Sequence, residues 1–222
     1  MISIIIPVLN EEKSLAQCLD RVFAQKGDYQ VIIVDGGSQD STAQIARAYP
    51  AQFISTIKGR GSQMNAGAKI AQGQWLLFLH ADTLLEADTI EKLSKLSLEP
   101  KLQAGCFWHR FDSLHPWLQI VSLIHNLRFR FTGIIYGDQC LFIRRDLFQQ
   151  LGGFKEIVME DIEFSERLKK VIRPCCLPIK AVTSARKFRA LGIYRATFRV
   201  LVLMYAYGRK DARHDLFFSD IR

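Results

Sequence analysis

The run WLLFL at 75–79 restricts the fold more than any other stretch of the chain. It shows no polar alternation, and a strand of that kind is buried on both faces, as in a parallel sheet covered by helices. It stops abruptly at His80-Ala81-Asp82. In open α/β sheets ligands bind just beyond the carboxyl ends of the strands. Asp82 therefore sits where a carboxylate can hold a metal ion against a phosphate. Asp82-Thr83 ahead of a Leu-rich segment is equally an N-cap pattern, and this stretch alone does not choose between the two.

The neighbouring segments repeat the strand-then-helix rhythm. Residues 2–6 form a β-branched strand closed by Pro7, with Asn10 as a helix N-cap and Glu11 and Glu12 in the first turn. Leu15, Leu19, Val22 and Phe23 then fall on one helical face. A second strand at 31–34 runs into Asp35-Gly36-Gly37-Ser38, a short helix follows at 43–48, and a third strand at 53–57. This spacing predicts βαβ units in a right-handed parallel sheet. Arg60 lies in a glycine-loosened basic loop, and 62–71, which includes Asn65, reads as a helix. After Asp82 the pattern predicts an amphipathic helix over 84–98.

The second half reads differently. A strand is expected at 106–111, and 117–131 is apolar on one helical face. His109 and His125 read as structural residues. Gly137-Asp138-Gln139, between apolar flanks, is either a turn or a device that sets Asp138 beside an acceptor. Glu160-Asp161 opens a helix to about residue 170, supported by the i,i+4 pairs Glu163–Arg167 and Glu166–Lys170. From 184 to 213 basic residues, Arg186 and Arg189 among them, alternate with apolar ones at helical spacing. That pattern is a basic amphipathic helix, packed on the domain or docked on an anionic membrane surface.

The length of 222 residues allows one large α/β domain, or one domain with an appendage. The net charge of +8 is uneven. Residues 1–111 hold 11 Lys/Arg and 11 Asp/Glu, whereas 112–222 hold 19 and 11. Such a basic half suits nucleic acid, an acidic membrane surface or a diphosphate. The five cysteines show no CxxC and no Cys/His metal spacing, which points to free thiols in a reducing cytoplasm. No leader pattern and no run near the roughly 18–20 apolar residues of a membrane span is seen. The expected location is cytoplasmic, with the basic tail available to the inner face of a membrane.

The ordered segments SIIIPVLNEE (3–12), VDGGSQDST (34–42), RGSQMNAG (60–67), FLHADT (78–83) and GGFKE (152–156), followed by Glu160-Asp161, resemble the family 2 glycosyltransferases of the GT-A fold. FLHADT, YGDQ with the following IRR, and SARKF look more narrowly like the radical-SAM/selenodomain-associated transferases. The resemblance implies an α/β GT-A fold: a Rossmann-like, mostly parallel central sheet flanked by helices, with a basic helical carboxyl-terminal tail. It places a glycosyltransferase domain at 1–183, with a nucleotide-sugar half at 1–111 and an acceptor half at 112–183, and the tail at 184–222. It implies a nucleotide-sugar donor held by Pro7, Asn10, Glu11, Asp35, Arg60, Asn65 and Ala81, with Asp35 taking the base. Asp82 matches the metal-ligating residue of the family's DxD motif, for Mg²⁺ or Mn²⁺. Asp161, beside Glu160, matches the catalytic base of inverting members. Asp138 joins them on the acceptor side, and Arg186 and Arg189 on the diphosphate.

One position departs from the pattern: His80 replaces the first acid of DxD. An imidazole suits Zn or Mn better than Mg, and on a continuing strand His80 and Asp82 would face one side. Asp82 is kept as the metal residue. The acceptor stays unnamed, a lipid-like one being compatible with the apolar helix and basic tail. Two other classes fit these residues less well. Nucleotidyltransferases place a glycine-rich basic loop after the first strand, where this chain has Pro7-Val8-Leu9-Asn10-Glu11. A degenerate, basic membrane or nucleic-acid module would leave Asp35, Asp82 and Asp161 without a task, and nucleic acid is the weaker of those partners.

Overall fold

The computed structural model describes residues 1–208. Its strands are β1 (Ile2–Val8), β2 (Tyr29–Asp35), β3 (Gln52–Ser55), β4 (Trp75–Phe78), β5 (Thr83–Leu85), β6 (Ala104–Phe111), β7 (Phe142–Arg144) and β8 (Cys175–Thr183). They form one mixed sheet in the order β3-β2-β1-β4-β7-β6-β8-β5. The helices are α1 (Leu15–Phe23), α2 (Thr42–Arg47), α3 (Arg60–Ile70), α4 (Thr89–Leu96), α5 (Pro116–Thr132), α6 (Arg145–Gln150), α7 (Glu160–Leu168), α8 (Arg186–Leu191) and α9 (Ile193–Gly208).

The first four strands in sheet order, β3-β2-β1-β4, are parallel. Their side chains alternate between two cores. Ile4, Ile6 and Ile33 join Leu15, Leu19 and Ile90 on one face. Ile5, Ile32, Val34 and Leu76 join Met64, Phe148 and Phe164 on the other. Every residue of β1 is buried, and each fully buried Ile contributes roughly 1.5–3 kcal/mol. Helix α3 approaches the sheet so closely that a Cβ at Gly67 would lie 2.5 Å from Ile5 Cγ2. Pro7 fits in a central strand because β4 pairs only with residues 2–5, so the missing N–H faces no ladder partner on that side.

The second half of the sheet is not the continuation of a parallel array. β7 runs antiparallel to both β4 and β6. The cause is positional. Phe142 pairs with Leu77 at the carboxyl end of β4, just after the turn at Gly137–Gln139. A strand that leaves the ligand edge of the sheet must run back down it.

β5 occupies Thr83–Leu85, overlapping the start of the span expected to be helical, and α4 begins only at Thr89. Thr83 pairs with Thr183 of β8, and their hydroxyls lie 3.1 Å apart, so tertiary pairing overrides the local helical pattern. β8 itself is masked in sequence by Pro178, which falls where the β6–β8 register slips between Phe107 and Trp108. The expected single basic helix is two helices, α8 and α9, broken at Gly192 with φ +83°. Arg209, Lys210 and Arg213 of that tail lie outside the described residues.

Candidate active site

The carboxyl ends of β1 and β2 are tied into one rim. Gln63 is buried, and its amide nitrogen donates to Val8 O and Val34 O, both at 2.8 Å. Asn10, at φ +54°, accepts from Gln39 N at 2.8 Å, and its own N–H donates to Ser38 Oγ at 3.0 Å. Asp35 is buried, and its carboxylate accepts from Gly37 N, Ser38 N and Ser38 Oγ. It therefore shapes the loop from within.

Over this rim lies a cleft of about 290 Å³, lined by Pro7, Asn10, Glu11, Lys58, Arg60, Gln63, Arg186 and Lys187. The first turn of α8 closes one side. Arg186 Nη2 is 3.2 Å from Glu11 Oε2, and Lys187 Nζ is 3.4 Å from Glu11 Oε1. The same ammonium is 3.4 Å from Asp82 Oδ2. Lys187 thus bridges the two carboxylates nearest the expected diphosphate, although sequence reasoning passed over it for its neighbours. Its signal was present in SARKF. Arg189 turns away to Asp112, at 3.3 Å.

Asp82 and His80 diverge. β4 ends at Phe78, so strand alternation does not reach them. Asp82 faces Lys187, whereas the His80 ring packs on Gly137, where a Cβ would come within 2.2 Å of Cε1. Burial, then the charge of Arg60, pushes the His80 pKa down to about 3, which keeps the imidazole neutral. Ala81 is buried in the core between them. Among the described residues no three His, Cys, Asp or Glu gather as a metal cage. Asp82 and Glu11 are hard oxygen donors facing one cation position. They fit a Mg²⁺ or Mn²⁺ that takes its other ligands from phosphate and water.

The amino terminus of α7 presents Glu160 and Asp161. Asp161 accepts from Gly137 N and Ile162 N, both at 2.8 Å. Burial raises its pKa, with Arg60 opposing and Asp138 adding to the rise. Arg60 Nε is 3.6 Å from the buried Glu160. A cavity of about 20 Å³ lies between His80, Tyr136, Glu160 and Asp161, room for one water-sized group. Asn65 does not take part in the cleft. Its amide grips Phe154 N and O, at 2.9 and 2.8 Å, and fixes the Gly152-Gly153 turn against α3.

Asp138 backs onto a histidine pair. Its oxygens lie 3.2 Å from His125 Nε2 and 3.6 Å from His109 Nε2. Burial alone raises a carboxyl, but the two imidazoles outweigh it and hold Asp138 well below the usual carboxylate range. His109 is buried, and burial takes its pKa down to about 4. The two histidines that read as separate structural residues are therefore one cluster, their rings 4.9 Å apart. Their separation by 16 positions on different elements hid this in the sequence.

The model of Glycosyl transferase family 2 matches residues 3–152, which hold the rim, Asp82 and the histidine cluster. The chain belongs to that family. The PGL/p-HBAD biosynthesis glycosyltransferase of Mycobacterium tuberculosis is 42% identical over 191 residues, covering 75% of this chain and 69% of the relative. Among solved structures, the mannosyltransferase PcManGT of Pyrobaculum calidifontis, in complex with GDP-Man and Mn²⁺, superposes with a TM-score of 0.69. It is 24% identical, over 99% of this chain and 67% of that one. S. aureus TarS with UDP-GlcNAc gives 0.68 at 20% identity, over 82% of this chain and 58% of that one. At these identities the structures establish the fold, that of the GT-A glycosyltransferases.

Proposed function

We propose that this family 2 glycosyltransferase moves a sugar from a nucleotide-sugar donor to an acceptor hydroxyl with inversion, and that Asp161 is the general base. One observation carries the reading. The cationic cleft over β1 and β2 adjoins the raised-pKa carboxylate of Asp161: Arg60 lines the cleft and lies 3.6 Å from Glu160, the neighbour of Asp161. A leaving diphosphate and an attacking hydroxyl need a cationic pocket and a base next to each other.

The nucleoside rests on the rim of Pro7, Asn10 and Asp35, with Arg60 at its edge. Arg186 and Lys187 face the diphosphate and offset its charge as the bond breaks. Asp82, helped by Glu11, holds Mg²⁺ or Mn²⁺, which neutralises phosphate charge when bound. Lys187 leaves its carboxylates for the phosphates as the donor enters. Asp161 accepts the acceptor's proton, and burial makes it a stronger base than an exposed Asp. Asp138, anchored by His125 and His109, holds the Gly137 loop whose N–H orients Asp161. The FLHADT, YGDQ and SARKF segments all reach this site, which supports the narrower kinship with the selenodomain-associated transferases. It also supports a division into a donor half at 1–111, an acceptor half at 112–183, and a tail that closes the cleft.

Asp161→Asn tests the base. Turnover, followed as release of the nucleotide diphosphate, is expected to fall by about 10²–10⁴ with donor affinity retained. Unchanged turnover would remove Asp161 from that role.

A further inference from the structure

Helix α5 is amphipathic in the wrong sense for a soluble surface helix. Its inward stripe, Leu118, Ser122, Asn126 and Phe129, is buried, and two of the four are polar. Ser122 accepts from Phe111 N, and Asn126 clamps His109 N and O at 2.9 Å. Its outward stripe is Trp117, Ile120, Ile124, Leu127 and Phe131, at 3-4-3-4 spacing, exposed from 36% at Trp117 to 88% at Phe131. Half of the inward stripe is polar while the outward stripe is apolar, unlike the usual arrangement of a surface helix.

Helix α9 extends this face. Tyr194, Phe198 and Leu201 are exposed at 58–67%. The two helices meet where Trp117 Nε1 donates to Thr197 Oγ1 at 3.2 Å and the Trp117 and Tyr194 rings lie 5.6 Å apart. The large apolar residues that the described chain exposes concentrate on this pair, and a contiguous patch of that kind marks an interaction surface.

Charge selects the partner. Residues 116–132 and 193–208 contain no Asp or Glu; Arg128 turns inward onto Tyr136, which leaves Arg130, Arg195 and Arg199 as the charges of this face. A surface that is apolar, aromatic at its junction and charged with one sign only matches an anionic interface with an apolar interior. No helix of the described chain is long and apolar enough to cross a membrane, so the contact lies in the plane of the interface.

We infer that α5 and α9 together seat the protein on an anionic lipid bilayer, their apolar stripes entering the acyl boundary and Arg130, Arg195 and Arg199 meeting the headgroups. The buried side of α5 supports the His109–His125–Asp138 cluster, so the acceptor side of the site would open beside the bilayer. The seating does not depend on the assignment of Asp161 or of the donor.

The test is sedimentation of the full chain with phosphatidylcholine vesicles, with and without phosphatidylglycerol. Binding is expected only with the anionic lipid, falling as salt rises. Ile124→Asp with Leu127→Asp, and separately Arg195→Glu with Arg199→Glu, should each weaken binding about ten-fold or more. Circular dichroism and donor calorimetry check that each variant stays folded and competent for donor. Absence of vesicle binding by the wild type, equal binding to neutral vesicles, or wild-type binding by the aspartate variant overturns the inference. So does a dimer in light scattering that the aspartate variant dissolves, which would assign the face to a second copy. Donor calorimetry that survives any of these outcomes separates this inference from the sugar-transfer reading.

Discussion

The β1–β4 region and the β6–α5 region solve opposite problems. Around β1, β2 and β4 the interior is apolar on both faces of the sheet, and the polar groups gather at the strand ends, where Asp35, Asn10 and Gln63 all have partners. Around β6 and α5 the interior holds His109, His125, Asp138 and Arg128, while the exterior of α5 is apolar. Among the described residues neither ring nitrogen of His109 has a partner within hydrogen-bond distance, Asp138 being 3.6 Å from Nε2. The first arrangement maximises stability and gives a rigid rim. The second gives up stability, as regions that bind or react commonly do.

The contrast is broken most strongly by truncating one isoleucine in each region. Ile33→Ala, fully buried in β2, is expected to cost about 2–5 kcal/mol. Ile124→Ala, 58% exposed on α5, is expected to cost less than about 0.5 kcal/mol. Urea unfolding of the two variants measures both, and equal losses would mean that the outer face of α5 is a covered core.

Acid sharpens the comparison with a slightly smaller effect. The folded His109 pKa of about 4 lies below the ordinary value of 6.5. Between these values the unfolded chain binds the extra proton. Stability from this group is therefore complete above about pH 6.5 and declines as pH falls toward 4, by on the order of 3 kcal/mol. His109→Gln should flatten the fall in urea midpoint across that window. An unchanged slope would place the acid sensitivity elsewhere, with His80 the next group to examine.

Much of this was legible in the residues. The apolar runs at 2–6, 31–34 and 75–79 carry their own burial, because continuous apolar strands have only one stable setting. Asp82 stood out by following a strand end and Asp161 by opening a helix; the fold sets Asp82 against Lys187 and has Asp161 accept from Gly137 N, and their roles in transfer are the proposal made above. What escaped was set by partners distant in sequence. β5 is a strand only because β8 lies beside it, and β8 is hidden by Pro178 at its register slip. Lys187 matters because α8 folds back onto Glu11 and Asp82 from more than 100 residues away. Asn65 looked like a donor residue and is committed to Phe154 instead. The apolar face of α5 was visible as a periodicity, but periodicity does not say which way a face points.

Titration calorimetry of the protein with UDP-, GDP- and dTDP-sugars, with and without Mn²⁺, tests the central claim most directly. The account predicts that one nucleotide binds, that Mn²⁺ tightens it, and that Lys187→Ala weakens it about ten-fold, the loss of one charge-assisted contact. No binding by any of the three, with or without the metal, would contradict it.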